Sequence, residues 1–373
     1  MKKNIANIIL LVLLAGVIAF FSISYIFLPA NSFSADENRV LQTSPRFTLE
    51  KLIDGTYTRQ LHDYFSDQIN LRGKMVELKS IIELAMGKNE NNDVLLGKDS
   101  YLIETHQYTD DNYSYLKRNL TKIVKMMQNL AQNDIKVNSA LIPRKIDILD
   151  SQFPPYYSNE RNEKIWELVS NNHINFDQSF ELLQQSGTQI FYKTDHHWTA
   201  EGAYYAYRDL ADILGYTPHS LKEFNLQVLS NDFVGTTYSK SGFFFVDSEQ
   251  IKAPSLEVGK YKVTIVDTNN ELDSLYDLSY LEKKDKYSTF LSGNNAHVKI
   301  YDTTSNEKET LLIIKDSFSH SLAPYLCEHY NIELIDPRYF SGSIEEYIEK
   351  NNIKNVFFIF GIDTLASANL IIR

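Results

Sequence analysis

Six consecutive residues, Thr194-Asp195-His196-His197-Trp198-Thr199, set an acid, two imidazoles and an indole side by side. A carboxylate next to a histidine can fix the imidazole tautomer and stabilise its charged form, which makes the histidine a base able to activate a serine at pH 7. The serine that fits is Ser317, in the run Leu311-Leu312-Ile313-Ile314-Lys315-Asp316-Ser317-Phe318-Ser319, where a buried strand ends just before a helix. A nucleophile placed there gains from exposed backbone N–H groups and from the positive helix end. His197 is then the base and Asp195 its orienting acid. A tetrahedral intermediate also needs N–H donors. The Ser317 N–H is one candidate, and Gly293-Asn294 is another, because glycine allows close backbone approach and asparagine offers an amide.

Each feature also has a plain structural reading. Asp-Ser at a strand end is often only a helix cap. His196 and His197 can be partly buried structural residues. As a metal site they are poor, since neighbours on an extended segment diverge and no further ligand stands at a recognisable spacing. Asp-His-His also occurs in metal-dependent phosphoesterases, but the additional aspartate motifs those enzymes need are missing from this sequence. Trp198 reads as core, or as a ring on which a sugar stacks. Gly293-Asn294 reads as a turn, and Asp336 with Arg338 as a strand-end ion pair or a substrate contact.

The elements that must position these residues follow from periodicity. Residues 189–192 read as a short strand before the motif. Residues 200–214 follow it as a helix, with Tyr204, Tyr207, Leu210 and Leu214 on one face, Thr199 as cap and Glu201 in the first turn. Upstream, 94–96 and 101–103 flank Gly97-Lys98-Asp99-Ser100 as a hairpin. A helix is expected over 112–131, a strand over 137–142 stopped by Pro143, and a helix over 160–169. Between 222 and 300 the rhythm changes to short strands and turns, which reads as a β-rich insertion. Strands at 311–314, 332–335 and 356–360, with helices after Ser317 and over 344–349, restore the α/β alternation. The continuous apolar runs 311–314 and 356–360 are those of strands covered on both faces.

Composition narrows the function classes. The chain has 373 residues, 43% hydrophobic, with 24 Tyr and 21 Phe, and a formal net charge of -11. That charge disfavours nucleic acid and offers no polybasic patch for anionic lipid. Cys327 is the single cysteine, so neither an internal disulfide nor a thiolate cluster can form. Residues 5–28 are almost wholly apolar, enough helix to cross a bilayer core of about 30 Å. Lys2 and Lys3 before them predict a cytoplasmic N-terminus and an extracytoplasmic remainder. The run exceeds the apolar region of about 7–15 residues of a cleaved signal peptide and no clear Ala-x-Ala site follows, which favours an uncleaved anchor. Residues 29–49 read as a linker, and Leu61, Tyr64, Phe65, Ile69, Met75, Leu78, Ile81, Ile82 and Leu84 as a helical stalk or lead-in. The expected organisation is an anchor at 1–30, a linker and lead-in at 31–90, and a catalytic domain at 91–373.

Asp-His-His-Trp on a loop entering a helix, followed far downstream by strand-Asp-Ser-Phe-Ser, resembles the DHHW family, which is similar to the alginate O-acetyltransferase periplasmic proteins. Glu37-Asn38-Arg39, the segment 67–72, Gly97-Lys98-Asp99, Gly293-Asn294 and Asp336-Pro337-Arg338-Tyr339-Phe340 extend the similarity along the chain. The resemblance implies an SGNH-hydrolase-like α/β fold, a parallel sheet with permuted strand order because the serine follows the Asp-His pair. It implies a triad of Asp195, His197 and Ser317, with His196 at a variable position. It also implies a multipass membrane acyltransferase as acetyl donor; neither cofactor nor metal is expected. No separate carbohydrate-binding module is expected, so the catalytic domain or a partner would hold the glycan. The expected function is a membrane-anchored, extracytoplasmic O-acetyltransferase acting on a cell-surface or secreted polysaccharide through a Ser317 ester. An acetylesterase with the same triad, or a non-catalytic glycan-binding scaffold of an export complex, is the alternative.

Overall fold

The computed structural model describes residues 2–27, 30–34, 39–69, 71–105, 107–155, 157, 163–171, 189–257, 259–305, 307–367 and 370. They fall into two compact units: one runs to Asn92 and includes Ser239–Phe245, and the other comprises Asp93–Tyr238 and Val246–Arg373. In the first unit, α1 (Lys2–Phe27) is a 26-residue helix. Its side chains are described only in part, and among the described residues no helix is long and apolar enough to cross a membrane. The anchor expected over 5–28 therefore rests on sequence alone. The lead-in includes the helices α2 (Thr56–Asp67) and α3 (Arg72–Ala85), after a short helical turn at Leu49–Ile53. Phe65, Leu78 and Ile82 on them are exposed. Glu37 and Asn38 lie outside the described residues.

The second unit holds the α/β body. A short hairpin pairs β1 (Val94–Leu96) with β2 (Leu102–Glu104), as the Gly97 turn predicts. The helix α4 (Asp110–Gln132) starts at Thr109, whose hydroxyl accepts the Asn112 N–H while Asn112 reaches back to the Thr109 N–H. Next come β3 (Lys136–Ile142), the paired β4 (Gln227–Phe233) and β5 (Glu249–Ala253), β6 (Tyr261–Ile265) and β7 (Asn270–Leu272). The last strands are β8 (His297–Asp302), β9 (Thr310–Lys315), β10 (Asn331–Ile335) and β11 (Asn355–Gly361).

Seven of these strands form one sheet in the order β7-β6-β8-β10-β9-β11-β3. It is mixed. β10, β9, β11 and β3 are parallel, whereas β8, β6 and β7 are joined antiparallel. The expected parallel sheet is corrected here: the stretch 222–300, read as a β-rich insertion, supplies β6, β7 and most of β8, which extend the sheet antiparallel. Val263, Ile265, Val298 and Ile300 alternate inward, so their burial is the burial of the sheet itself.

Period-2 alternation explains why β9 is apolar throughout. Leu311 and Ile313 pack into one core with Ile332, Leu334, Phe357 and Ile359, while Leu312 and Ile314 pack into the other with Val356, Phe358 and α4. The parallel strands all end at one edge of the sheet, which gathers Pro143-Arg144-Lys145, Asp316-Ser317, Asp336 and Gly361 there. Ligands of open α/β sheets bind at such carboxyl ends.

Candidate active site

After β9, the Asp316 carboxylate fixes the turn that presents Ser317. Its Oδ1 accepts the Phe318 N–H (3.1 Å), and its Oδ2 accepts the Gly361 N–H (2.7 Å) and the Thr364 hydroxyl (2.7 Å). The helix α6 (Ser319–Leu326) begins two residues beyond Ser317. Among the described residues the Ser317 N–H donates to no other group, so it is free to meet a charge at Oγ's reaction partner.

The histidine loop is held differently from its sequence reading. Residues 189–192 form no strand; the loop is pinched instead by a single bridge between Phe191 and Trp198, with Tyr192 N–H on the His197 carbonyl (3.1 Å) and Thr199 N–H on the Ile190 carbonyl (2.9 Å). Thr199 does cap α5 (Ala200–Asp209), accepting the Gly202 N–H at 3.1 Å. Thr194 donates its N–H and hydroxyl to Glu249 Oε1, which ties the loop to β5.

These two turns bring Asp195, His197 and Ser317 into one relay. The Ser317 hydroxyl lies 2.8 Å from His197 Nε2, and His197 Nδ1 lies 2.6 Å from Asp195 Oδ1. Asp195 Oδ1 also accepts the His197 N–H (3.0 Å), while Oδ2 accepts the Thr236 N–H (2.8 Å) and hydroxyl (3.0 Å). A side chain at position 235 would not fit, since a Cβ on Gly235 would sit 2.2 Å from Asp195 Cβ. The Tyr287 ring stacks on His197 at 3.8 Å and 10°, and Phe318 meets it edge-on at 5.0 Å.

Burial works against a charged Asp195, but His196, His197 and its hydrogen bonds outweigh it and hold the carboxyl well below its ordinary range. His197 is pushed down to about 4, first by burial and then by the neighbouring His196, with Asp195 opposing. At neutral pH the imidazole is therefore an unprotonated acceptor aimed at the Ser317 hydroxyl. Such an arrangement can take the serine proton and return it to a leaving group. Donor atoms of Asp195, His196 and His197 lie within 4.8 Å of one another. Three of the four ring nitrogens already hold hydrogen-bond partners, so a cation there would have to break the relay.

Ser317 opens on a cavity of ≈ 120 Å³ walled by Arg144, Lys145, Glu104 and the 361–364 turn as well as His196, Phe318 and Arg338. Arg338 is gripped by Asp336, through Nε on Oδ1 (2.9 Å) and Nη2 on Oδ2 (2.6 Å). Asp336 is fully buried and also takes Lys315 Nζ at 3.3 Å. Lys315 in turn donates to His320 Nε2 at 2.8 Å. Arg338 thus makes the strand-end ion pair and also faces the cavity. Lys145 donates to the Leu102 and Lys193 carbonyls and is pushed down to about 8 by burial.

Three expected site residues are placed elsewhere. Trp198 is 1% exposed, and its indole N–H is given to the Phe318 carbonyl (3.1 Å) and Ser321 Oγ (2.8 Å), so it fastens the histidine loop to α6 and has no face for a sugar. Gly293 gives its N–H to the Phe290 carbonyl at 3.1 Å in a turn with φ +80°, and neither it nor the exposed Asn294 lines the cavity. Thr236, Tyr287, Arg144 and Lys145 are site neighbours that the sequence did not single out. Only the strand stop at Pro143 hinted at one of them, because the others come from elements whose register sequence spacing does not reveal.

Residues 93–335 match the family model described as DHHW protein, and the chain belongs to that family. It is 22% identical over 186 residues to "Probable alginate O-acetylase AlgJ" of Pseudomonas fluorescens, which covers 44% of each protein, so the chain spans less than half of that relative. The fold is similar to that of a DHHW family protein from Eubacterium siraeum (TM-score 0.59, 21% identity, 75% of this chain and 94% of that one). It is also similar to Bacillus cereus PatB1 solved with a sulfonyl adduct (TM-score 0.62, 18% identity, 75% of this chain and 98% of that one).

Proposed function

From membership of the DHHW family and the geometry at Ser317, we propose that this chain is a serine O-acetyltransferase that moves an acetyl group through a Ser317 ester onto a polysaccharide hydroxyl. The observation that carries the reading is the unbroken relay from Asp195 through His197 to Ser317, ending at a cavity beside an unused Ser317 N–H. Ser317 Oγ attacks the acetyl carbonyl as His197 Nε2 takes its proton. The Ser317 N–H receives the developing oxyanion, with Arg338 adding positive charge on the cavity side. His197 then protonates the leaving group, and the incoming hydroxyl repeats the sequence in reverse. The similarity to an alginate O-acetylase supports a polysaccharide as acceptor. The apolar run at 5–28 supports a membrane tether with the α/β body outside the cytoplasm, beside a multipass acyltransferase that delivers acetyl groups. Tethering raises the effective concentration of Ser317 at such a donor.

The full-length protein in detergent, incubated briefly with an activated acetyl ester or a sulfonyl fluoride, should gain one acetyl or one sulfonyl group at Ser317 by intact mass. Both adducts should vanish in Ser317→Ala and the acetyl adduct in His197→Ala. Modification that persists in Ser317→Ala would sink the proposal.

A further inference from the structure

His196 borders the cavity, and the relay leaves its chemistry unused. Its Nδ1 lies 2.9 Å from Thr236 Oγ1, which lies 3.0 Å from Asp195 Oδ2. An ionised carboxylate only accepts, so the Thr236 hydroxyl gives its one proton to Asp195. The Thr236 oxygen is then left to accept from His196, which in the neutral form of the ring puts the proton on Nδ1 and the lone pair on Nε2. His197 is in the same tautomer, with Nδ1–H on Asp195 Oδ1 and its Nε2 lone pair facing Ser317. One carboxylate sets two adjacent imidazoles, one with each oxygen. The rings are 3.9 Å apart at 37°, with both Nδ1 atoms on the Asp195 side, so both Nε2 atoms lie away from it. His196 lines the cavity with Ser317, and among the described residues its Nε2 has no hydrogen-bond partner.

We propose that His196 Nε2 is an acceptor-binding site selecting a vicinal diol: one sugar hydroxyl is acylated while its neighbour donates to His196. This rests on the acyl-Ser317 reading above. A single hydroxyl has one hydrogen and can satisfy only one of the two nitrogens. In the transfer step the attacking oxygen bonds to the acetyl carbon and its proton passes to His197 Nε2. The bond from that carbon to Ser317 Oγ then breaks, and the same proton moves from His197 to Ser317 Oγ. His196 neither gains nor loses a proton; it holds the second hydroxyl and so orients the first. Water also carries two hydrogens, so hydrolysis is the natural competitor.

Full-length protein charged with 4-nitrophenyl acetate separates the steps. The nitrophenolate burst reports acylation, and product analysis reports partition of the acetyl group among water, propan-1-ol and propane-1,2-diol. We expect the diol to be preferred over propan-1-ol by about tenfold, the effect of one well-placed hydrogen bond. His196→Asn keeps an amide N–H for Thr236 and removes the Nε2 lone pair, so the diol preference, a ratio taken within the acylated protein whatever the acylation rate, should fall to about one. Thr236→Val, which frees the His196 tautomer, should lower the preference part of the way. A diol preference that survives in His196→Asn overturns the proposal. Wild-type protein without a burst overturns the acyl-Ser317 reading, and the diol site with it.

Discussion

Asp195 and Asp336 are two buried carboxylates of the same unit, 1% and 0% exposed, with opposite partners. Asp195 accepts from a neutral imidazole, two backbone N–H groups and a hydroxyl. Asp336 is held by the Arg338 guanidinium and the Lys315 ammonium. Its carboxyl is held down against burial by those two cations, Lys315 first. A carboxylate without a full cation at its side still has charge to offer an imidazolium that forms in a transition state. One with two cations has none left, and serves to hold Arg338 at the cavity wall.

The sharpest way to break that contrast is to neutralise each acid in turn. Asp195→Asn would give His197 Nδ1 an N–H donor in place of an acceptor, forcing the proton to Nε2, which can then no longer receive the Ser317 proton. We expect the burst rate to fall about 10⁴-fold, as in other serine relays, with the urea midpoint close to wild type. A loss below tenfold would mean Asp195 is only a loop fastener. Asp336→Asn should invert the pattern. Stranding Lys315 beside Arg338 without their counter-ion should cost about 3–5 kcal/mol of folding stability, read from urea denaturation. A stable Asp336→Asn protein would show that the cations find other partners.

The smallest effect comes from pH. Both acids stay ionised well below pH 5, so between pH 6.5 and 4 the titration belongs to histidines: His197 beside Asp195, His320 beside Lys315, and His329 beside Tyr207 and His219. His197 and His329 are pushed down to about 4, and His320 well below its ordinary value, in each case first by burial. Their folded-state values lie below the unfolded value of about 6.5. In this window the unfolded chain therefore binds more protons, and stability falls as pH falls. The urea midpoint should drop from pH 7 to pH 5, and a flat profile would show that these rings are protonated in the folded protein.

Much of the fold could be read from the sequence wherever one face of an element settles its own fate. The runs 311–314 and 356–360 became β9 and β11 because both faces are covered, and α4 follows from Leu116, Leu120, Ile123 and Leu130 recurring on one side. Two readings failed for a common reason. Residues 189–192 are held by a turn-like bridge and by Glu249, and 261–302 joins the main sheet through β8 pairing with β10. In both cases a partner distant in sequence decides the outcome, and local pattern carries no record of it. At the site, Asp195, His197 and Ser317 stood out because their residue types advertise chemistry. Of the two readings of Trp198, the core one is what is seen, because its buried indole gives its N–H to α6 and shows no face to a sugar.

The cavity draws its walls from several elements, Glu104 of β2 and Arg338 beyond β10 among them. Ser317 and the histidines sit on the β9 turn and the loop before α5, fastened to each other by Trp198. Arg144, Lys145 and the 362–364 turn belong to the ends of β3 and β11, which contribute no member of the relay. The reacting groups and part of the cavity wall are thereby lodged in separable parts of one scaffold. Residues at the β3 and β11 ends can therefore be exchanged, and the cavity reshaped, while Asp195, His197 and Ser317 stay in place.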